Sequence, residues 1–198
     1  MRDYEAVRPL LKTGDLVLFA GRGGVSAWIR WFTRSPWTHI GMVVRQEPMD
    51  SLFVWESTTL STAKDVSSGA LRRGVQLAGL RERILAYDGE IAVRRLSRGL
   101  GRRRLARLGV LRNQFAGRPY EESKLELLKA AADILLPENR EDLTSLFCSE
   151  LVAEAYQTMG LLDERKPSNE YVPGDFAADR LPRLRGGFVL GAEEMVGP

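Results

Sequence analysis

The sequence predicts a mixed α+β protein on three observations. Short β-rich runs crowd its first half, at 15–19, 37–45, 52–58 and 90–96. Amphipathic helical spacing takes over from Leu100 onward. Between Trp37 and Thr58 two β-rich runs flank one interruption, for which a simple hairpin is the most economical reading.

Taken in order, Lys12-Thr13-Gly14-Asp15 is a turn signal, so a buried strand is expected from about Asp15. Gly21, Gly23 and Gly24 follow without a Lys-Ser/Thr pair, which favours a connecting loop over a phosphate cradle. Val25, Trp28, Ile29 and Phe32 recur at helical spacing and predict a short helix that Pro36 ends. A β-rich run from Trp37 to Arg45 carries His39, and Leu52 to Thr58 forms the second strand, with Gln46 to Ser51 between them. A turn centred between Glu47 and Pro48 makes the numbers of opposed residues add to 95, which sets His39 directly across from Glu56.

Ser57–Gly74 reads as a loop bordering a site, Val75–Leu77 as a short edge strand and Glu90–Leu96 as another strand. Leu100–Phe115 is a helix with Leu100, Leu108, Leu111 and Phe115 on one side and Arg102, Arg103, Arg107 and Arg112 on the other. A solvated face is favoured there over an anionic partner. Without interleaved aromatics, no specific nucleic-acid binding is expected. Glu121–Leu136 is a second amphipathic helix, stopped by Pro137. The last helix has Ser145 as N-cap, an apolar side of Leu151, Val152, Ala155, Tyr156 and Met159, and Gly160 as C-cap. Tyr171–Phe176 is a loop-to-turn signal, and Leu184–Leu190 is expected to close the sheet.

Composition narrows the function. With 198 residues, 44% of them apolar and 28% charged, one domain over 1–198 is expected. A single cysteine excludes an internal disulfide framework, and one cysteine with one histidine is too few for a structural zinc site, so neither metal nor cofactor is expected. The charged N-terminus lacks the apolar core of a signal peptide, and no run approaches the roughly 20 apolar residues of a spanning helix. The expected location is cytoplasmic. The net charge is only +3, but arginines crowd between Arg94 and Arg112.

The chemistry lies in two singletons and an acid. Cys148 is expected at a helix start, where the positive end of the dipole favours a thiolate. His39 lies on a strand beside small Gly41, where substrate would approach. Glu56, an unusual occupant of an apolar strand, wants a partner, and orienting the imidazole supplies one. Together they make a nucleophile, a base and an orienter, with the Cys148 backbone N–H available to an oxyanion.

These residues resemble a known group. Thr13-Gly14-Asp15-Leu16-Val17-Leu18-Phe19, Thr38-His39-Ile40-Gly41, Trp55-Glu56-Ser57, Gly117-Arg118-Pro119-Tyr120 and Phe147-Cys148-Ser149-Glu150-Leu151-Val152, in that order, are similar to the circularly permuted papain-like hydrolases of the NlpC-type superfamily, YiiX/YebB-like group. The histidine strand precedes the cysteine helix, which is the permuted order. The resemblance covers about residues 11 to 180. It implies an antiparallel sheet packed against helices, Cys148 as nucleophile, His39 as base and Glu56 as third residue. Tyr120 and Ser149 are implied as oxyanion or cleft-lining residues. An amidase acting on a peptide, a cell-wall fragment or an N-acyl conjugate is the first expectation. A lipid acyltransferase or phospholipase is the second, and a non-catalytic module for an anionic partner the third.

Overall fold

The computed structural model describes residues 1–21, 35–58, 63–116, 144–181 and 184–198. Strands β1 (Arg2–Asp3), β2 (Leu16–Gly21), β3 (His39–Gln46), β4 (Ser51–Thr58), β5 (Gly74–Gly79), β6 (Gly89–Arg94) and β7 (Glu194–Gly197) form a seven-stranded sheet in the order β1-β7-β6-β2-β3-β4-β5. Neighbours run antiparallel except β1 and β7, which are parallel. The described helices are α1 (Tyr4–Val7), α2 (Leu80–Leu85), α3 (Arg102–Phe115) and α4 (Thr144–Thr158). The α+β class is therefore as expected. Among the described residues no helix is long and apolar enough to cross a membrane.

Strand β2 is the keel. Its six residues are all small or apolar and buried, so both faces of the sheet are covered at this point. Period-two alternation divides them. Leu16, Leu18 and Ala20 join a core with Ile40, Met42 and Val44 from β3 and with Cys148, Leu151, Val152, Ala155 and Tyr156 from α4. Val17 and Phe19 join a second core with Val43, Val54, Ala78, Leu80 and Ile84, and with Tyr4 and Val7 of α1. The cysteine helix and helix α2 thus lie over opposite faces.

The hairpin register differs from the expected one. Met42 pairs with Trp55 and Gln46 with Ser51, so opposed residues add to 97. The turn spans Glu47–Asp50, and Asp50 takes φ 50. Two arginines pin it: Arg45 pairs with the Asp50 carboxylate, and Arg8 Nη2 lies 3.0 Å from Asp50 Oδ2. The shift is an even number of residues, so every side chain keeps its face.

The β3–β4 ladder also stops early. Its last pair toward the site is Met42–Trp55, whereas β3 stays paired to β2 through His39 and β4 to β5 through Thr58. A cleft in the backbone pairing therefore opens between His39–Gly41 and Glu56–Thr58.

Among the described residues helix α4 runs from Thr144, so Ser145 lies inside it rather than capping it, and Cys148 sits in its second turn rather than three residues after an N-cap. The C-terminus follows expectation. Gly160 has φ +68 and donates to Gln157 O at 2.7 Å, while Leu161 N donates to Tyr156 O at 2.7 Å, the two bonds of a Schellman end. Arg104 Nε and Arg107 Nη1 donate to the Met159 and Thr158 carbonyls at 3.1 and 3.4 Å. Arg94 reaches the Phe176, Gly191 and Leu190 carbonyls at 2.6, 2.8 and 3.2 Å. Much of the arginine-rich segment binds backbone carbonyls. Arg102, Arg103 and Arg107 are exposed, as a solvated face requires, whereas the Arg112 Nε is buried.

The closing strand is displaced. Leu184–Leu190 contains a 3₁₀ turn at Arg185–Gly187 and only an isolated bridge, Leu96–Leu190. Gly186 and Gly187, both at positive φ, break extended backbone there. The sheet closes instead with β7 and β1. Gly21 ends β2 rather than opening a turn, and Ser57 and Thr58 belong to β4. The predicted helices at 25–32 and 121–136, the segment at 117–120 with Tyr120, and residues 59–62 of the loop lie outside the described residues.

Candidate active site

His39 opens β3 directly across from Phe19 of β2. Their rings lie 5.3 Å apart, centroid to centroid, which confines the imidazole on one side. On β4, Glu56 is completely buried. Its Oε2 is 2.6 Å from His39 Nε2, so one ring nitrogen of His39 is committed to the carboxylate. Register 97 would align Gly41, not His39, with Glu56, so the two meet on the diagonal.

Gly41 makes that diagonal possible. A Cβ there would fall on Val54 Cγ2 and come within 3.3 Å of Glu56 Cβ. The space beside His39 is therefore taken by its own strand neighbours, not left for substrate as the sequence suggested.

The other oxygen of Glu56 is equally engaged. Gln76 Nε2, from the residue paired with Glu56 on β5, donates to Oε1 at 2.8 Å. Arg83 Nε, from α2, donates to the same oxygen at 2.9 Å. Arg83 is itself buried, with Phe19 and Tyr87 ring centroids 4.8 and 5.2 Å from its guanidinium carbon.

Cys148 comes from the other core, where it is fully buried. It interacts with His39 through charge and a side-chain hydrogen bond. With Nε2 given to Glu56, Nδ1 is the ring nitrogen that faces the thiol. The pairing crosses from one face of the sheet to the other where the β3–β4 ladder has stopped.

The electrostatics follow from these contacts. Burial pushes the Glu56 carboxyl upward, but the Arg83 charge and the His39 hydrogen bond and charge outweigh it and hold the pKa at about 2. Burial pushes the His39 imidazole downward, yet the charge and hydrogen bond of Cys148, followed by those of Glu56, carry it up to about 9. The arrangement favours a protonated His39 beside an ionised Glu56.

The structure brings Cys148, His39 and Glu56 together. Ser149 is placed otherwise: it is fully buried and its hydroxyl donates to Tyr171 O at 2.6 Å. That bond ties α4 to Tyr171, the residue that ends the 3₁₀ turn Ser168–Glu170, rather than presenting a hydroxyl to a cleft. Tyr120 lies outside the described residues. Sequence reasoning missed Gln76, Arg83 and the Phe19 and Tyr87 rings. The one signal available was Gln76, the polar residue of the short strand Val75–Leu77.

No family model and no curated protein matches the chain. Among solved structures it is similar to the crystal structure of the metalloprotein yiiX from Escherichia coli O157:H7, at 20% sequence identity and a TM-score of 0.53, over 94% of this chain and 98% of that one. At that identity the likeness shows the fold: this chain has the α+β architecture of a YiiX-like structure.

Proposed function

We propose that the protein is a cysteine hydrolase of the permuted papain-like type, acting as one domain and cleaving an amide bond through an acyl-thioester. The observation that carries the reading is His39, bound to Glu56 at 2.6 Å on one nitrogen and hydrogen-bonded to Cys148. In the first step the Cys148 thiolate attacks the amide carbonyl carbon. The His39 imidazolium then gives its proton to the departing amine nitrogen as the C–N bond breaks. In the second, neutral His39 takes a proton from water, the hydroxyl adds to the thioester, and the C–S bond breaks to release a carboxylic acid and restore the thiolate. Glu56 fixes the ring orientation and stabilises the imidazolium throughout.

The yiiX structure is that of a metalloprotein. Here no group of three or more His, Cys, Asp or Glu side chains suited to a metal ion occurs among the described residues. The carboxylate beside His39 is already held by His39, Gln76 and the Arg83 cation. The residues do not fit a metal, and no step is assigned to one.

Because Cys148 is enclosed, alkylation requires opening as well as ionisation, so the pH profile is more telling than the rate alone. Iodoacetamide should label wild-type Cys148 with a rate that changes little around pH 7. In His39→Gln the rate should be lower there and climb toward the ordinary thiol pKa of about 8.5. Identical profiles would overturn the pairing. A panel of dipeptide amides, stem-type peptides, N-acyl amides, acyl esters and phospholipids then tests the bond. Turnover confined to the lipids would overturn the amide assignment.

A further inference from the structure

Beyond the three residues above, we infer that Arg83 is a positioning residue of this site: its buried guanidinium anchors Glu56 and supplies the positive charge against which a Cys148 thiolate and His39 imidazolium persist together. The inference rests on the proposed cysteine chemistry and deepens it.

Three observations converge on it. First, the ion pair is enclosed, with side-chain exposures of 4% for Arg83 and 0% for Glu56 at 2.9 Å. A surface pair would be screened, but a buried one is not. Second, the guanidinium is held by more than the carboxylate, since Phe19 and Tyr87 lie 4.8 and 5.2 Å from its carbon. Phe19 also packs on His39 at 5.3 Å, so a single ring contacts both cations of the site. Third, α2 follows β5 without a gap, which brings Arg83 beside the strand that carries Gln76.

The charge balance gives Arg83 its role. Among the described residues, the ionisable groups coupled to this cluster are Glu56 from β4, His39 from β3, Cys148 from α4 and Tyr87 from the segment after α2. Tyr87 is a phenol that burial pushes upward, so it stays neutral. A thiolate, an imidazolium, a carboxylate and a guanidinium sum to zero, so these four described groups balance one another. Without the guanidinium the same ionisation leaves a net negative charge in an enclosed site, and a retained proton is the cheaper outcome. Arg83 also differs from Gln76. Both donate to Oε1 at nearly equal distances, 2.9 and 2.8 Å, but only Arg83 brings charge. Nature has thus placed an internal control on the same oxygen.

The chain's single cysteine and single histidine make the test clean. Thiolate absorbance in the ultraviolet, with Cys148→Ser as baseline, is titrated in wild type, Arg83→Met, Arg83→Lys and Gln76→Leu. Where Arg83→Met does not fold, Arg83→Gln, which keeps a donor, takes its place. The expected result is a midpoint moved to higher pH by about one unit in the neutral variant, a tenfold loss of thiolate below the midpoint. Arg83→Lys should return most of that shift, and Gln76→Leu should produce much less of it. An unmoved midpoint in the neutral variant, or an equal shift in Gln76→Leu, would overturn the inference. The parent reading fails separately: the wild-type midpoint would then be indifferent to His39→Gln.

Discussion

Glu56 accepts a donor on each oxygen while excluded from water, and Arg83 opposite it is nearly as enclosed. Such a pair contributes little net stability, because desolvation offsets most of the attraction, but breaking it from one side strands a buried charge. Glu56→Gln should therefore cost about 3–5 kcal/mol of folding free energy, measured by urea denaturation at pH 7. A loss below about 1 kcal/mol, the scale of a surface pair, would mean that Arg83 finds other compensation. Cys148, His39 and Glu56 could be picked from the sequence because each is chemically conspicuous: the first two are singletons, and the third is an acid in an apolar strand. Arg83 was not visible in this way. It sits 27 residues from its carboxylate, in Leu80-Arg81-Glu82-Arg83-Ile84, where it is one of two arginines and no motif marks it.

At the scale of elements, strand pairing shows what sequence can and cannot supply. The interruption between the two β-rich runs, Gln46 to Ser51, is symmetrical about 97, the register observed. Centring the turn on Glu47 and Pro48 gave 95 instead, because the turn was placed on the proline, whereas the observed turn runs on to Asp50, which Arg8 and Arg45 grip. Parity survived the error, so His39 and Glu56 still met. The end of the cysteine helix was simpler to read, since Gly160 adopts a left-handed conformation open mainly to glycine. A Cβ there would meet nothing closer than Arg107 Nη1 at 4.0 Å. Gly160→Ala should thus carry only the backbone cost, about 1–2 kcal/mol, seen as a lower denaturation midpoint with an unchanged slope. No measurable loss would show that the Schellman end can be rebuilt. The arginines of α3 were harder, because a carbonyl-capping role depends on which helix end lies alongside, and periodicity carries no such information.

For the whole molecule, two buried carboxyls pull the acid–base behaviour in opposite directions. Asp15 is fully buried, and burial raises its pKa to about 6 despite the Leu96 and Lys12 N–H groups that bind it. A carboxyl raised on folding favours the protonated folded state, so its contribution is complete below about 3.8 and is lost as pH rises through about 6. Glu56 works the other way: its contribution is complete above about 4.5 and lost as pH falls through about 2. Between pH 4 and 7 the Asp15 component should therefore decline with rising pH by roughly 2–3 kcal/mol. The check is denaturation of wild type and Asp15→Asn across that window, where the slope should flatten in the variant. Equal slopes would assign the dependence elsewhere. The central strands of the sheet were readable because they are continuously apolar. Its outer edge was not, since β1 and β7 are short and partly exposed and resemble loop in composition.

The two cores on either side of the sheet give the site a logical character. Cys148 is set by the packing of one and His39, Glu56 and Arg83 lie on the side of the other, and His39 meets Cys148 at the end of β3 that is not paired to β4. Small displacements in the two cores would add in their effect on stability. Their effect on thiolate pairing would instead be conjunctive, since a thiol out of place and an imidazole out of place each break the same contact. The proposed site would then act as a coincidence gate for the two cores, with the thiol and imidazole paired only when both have packed.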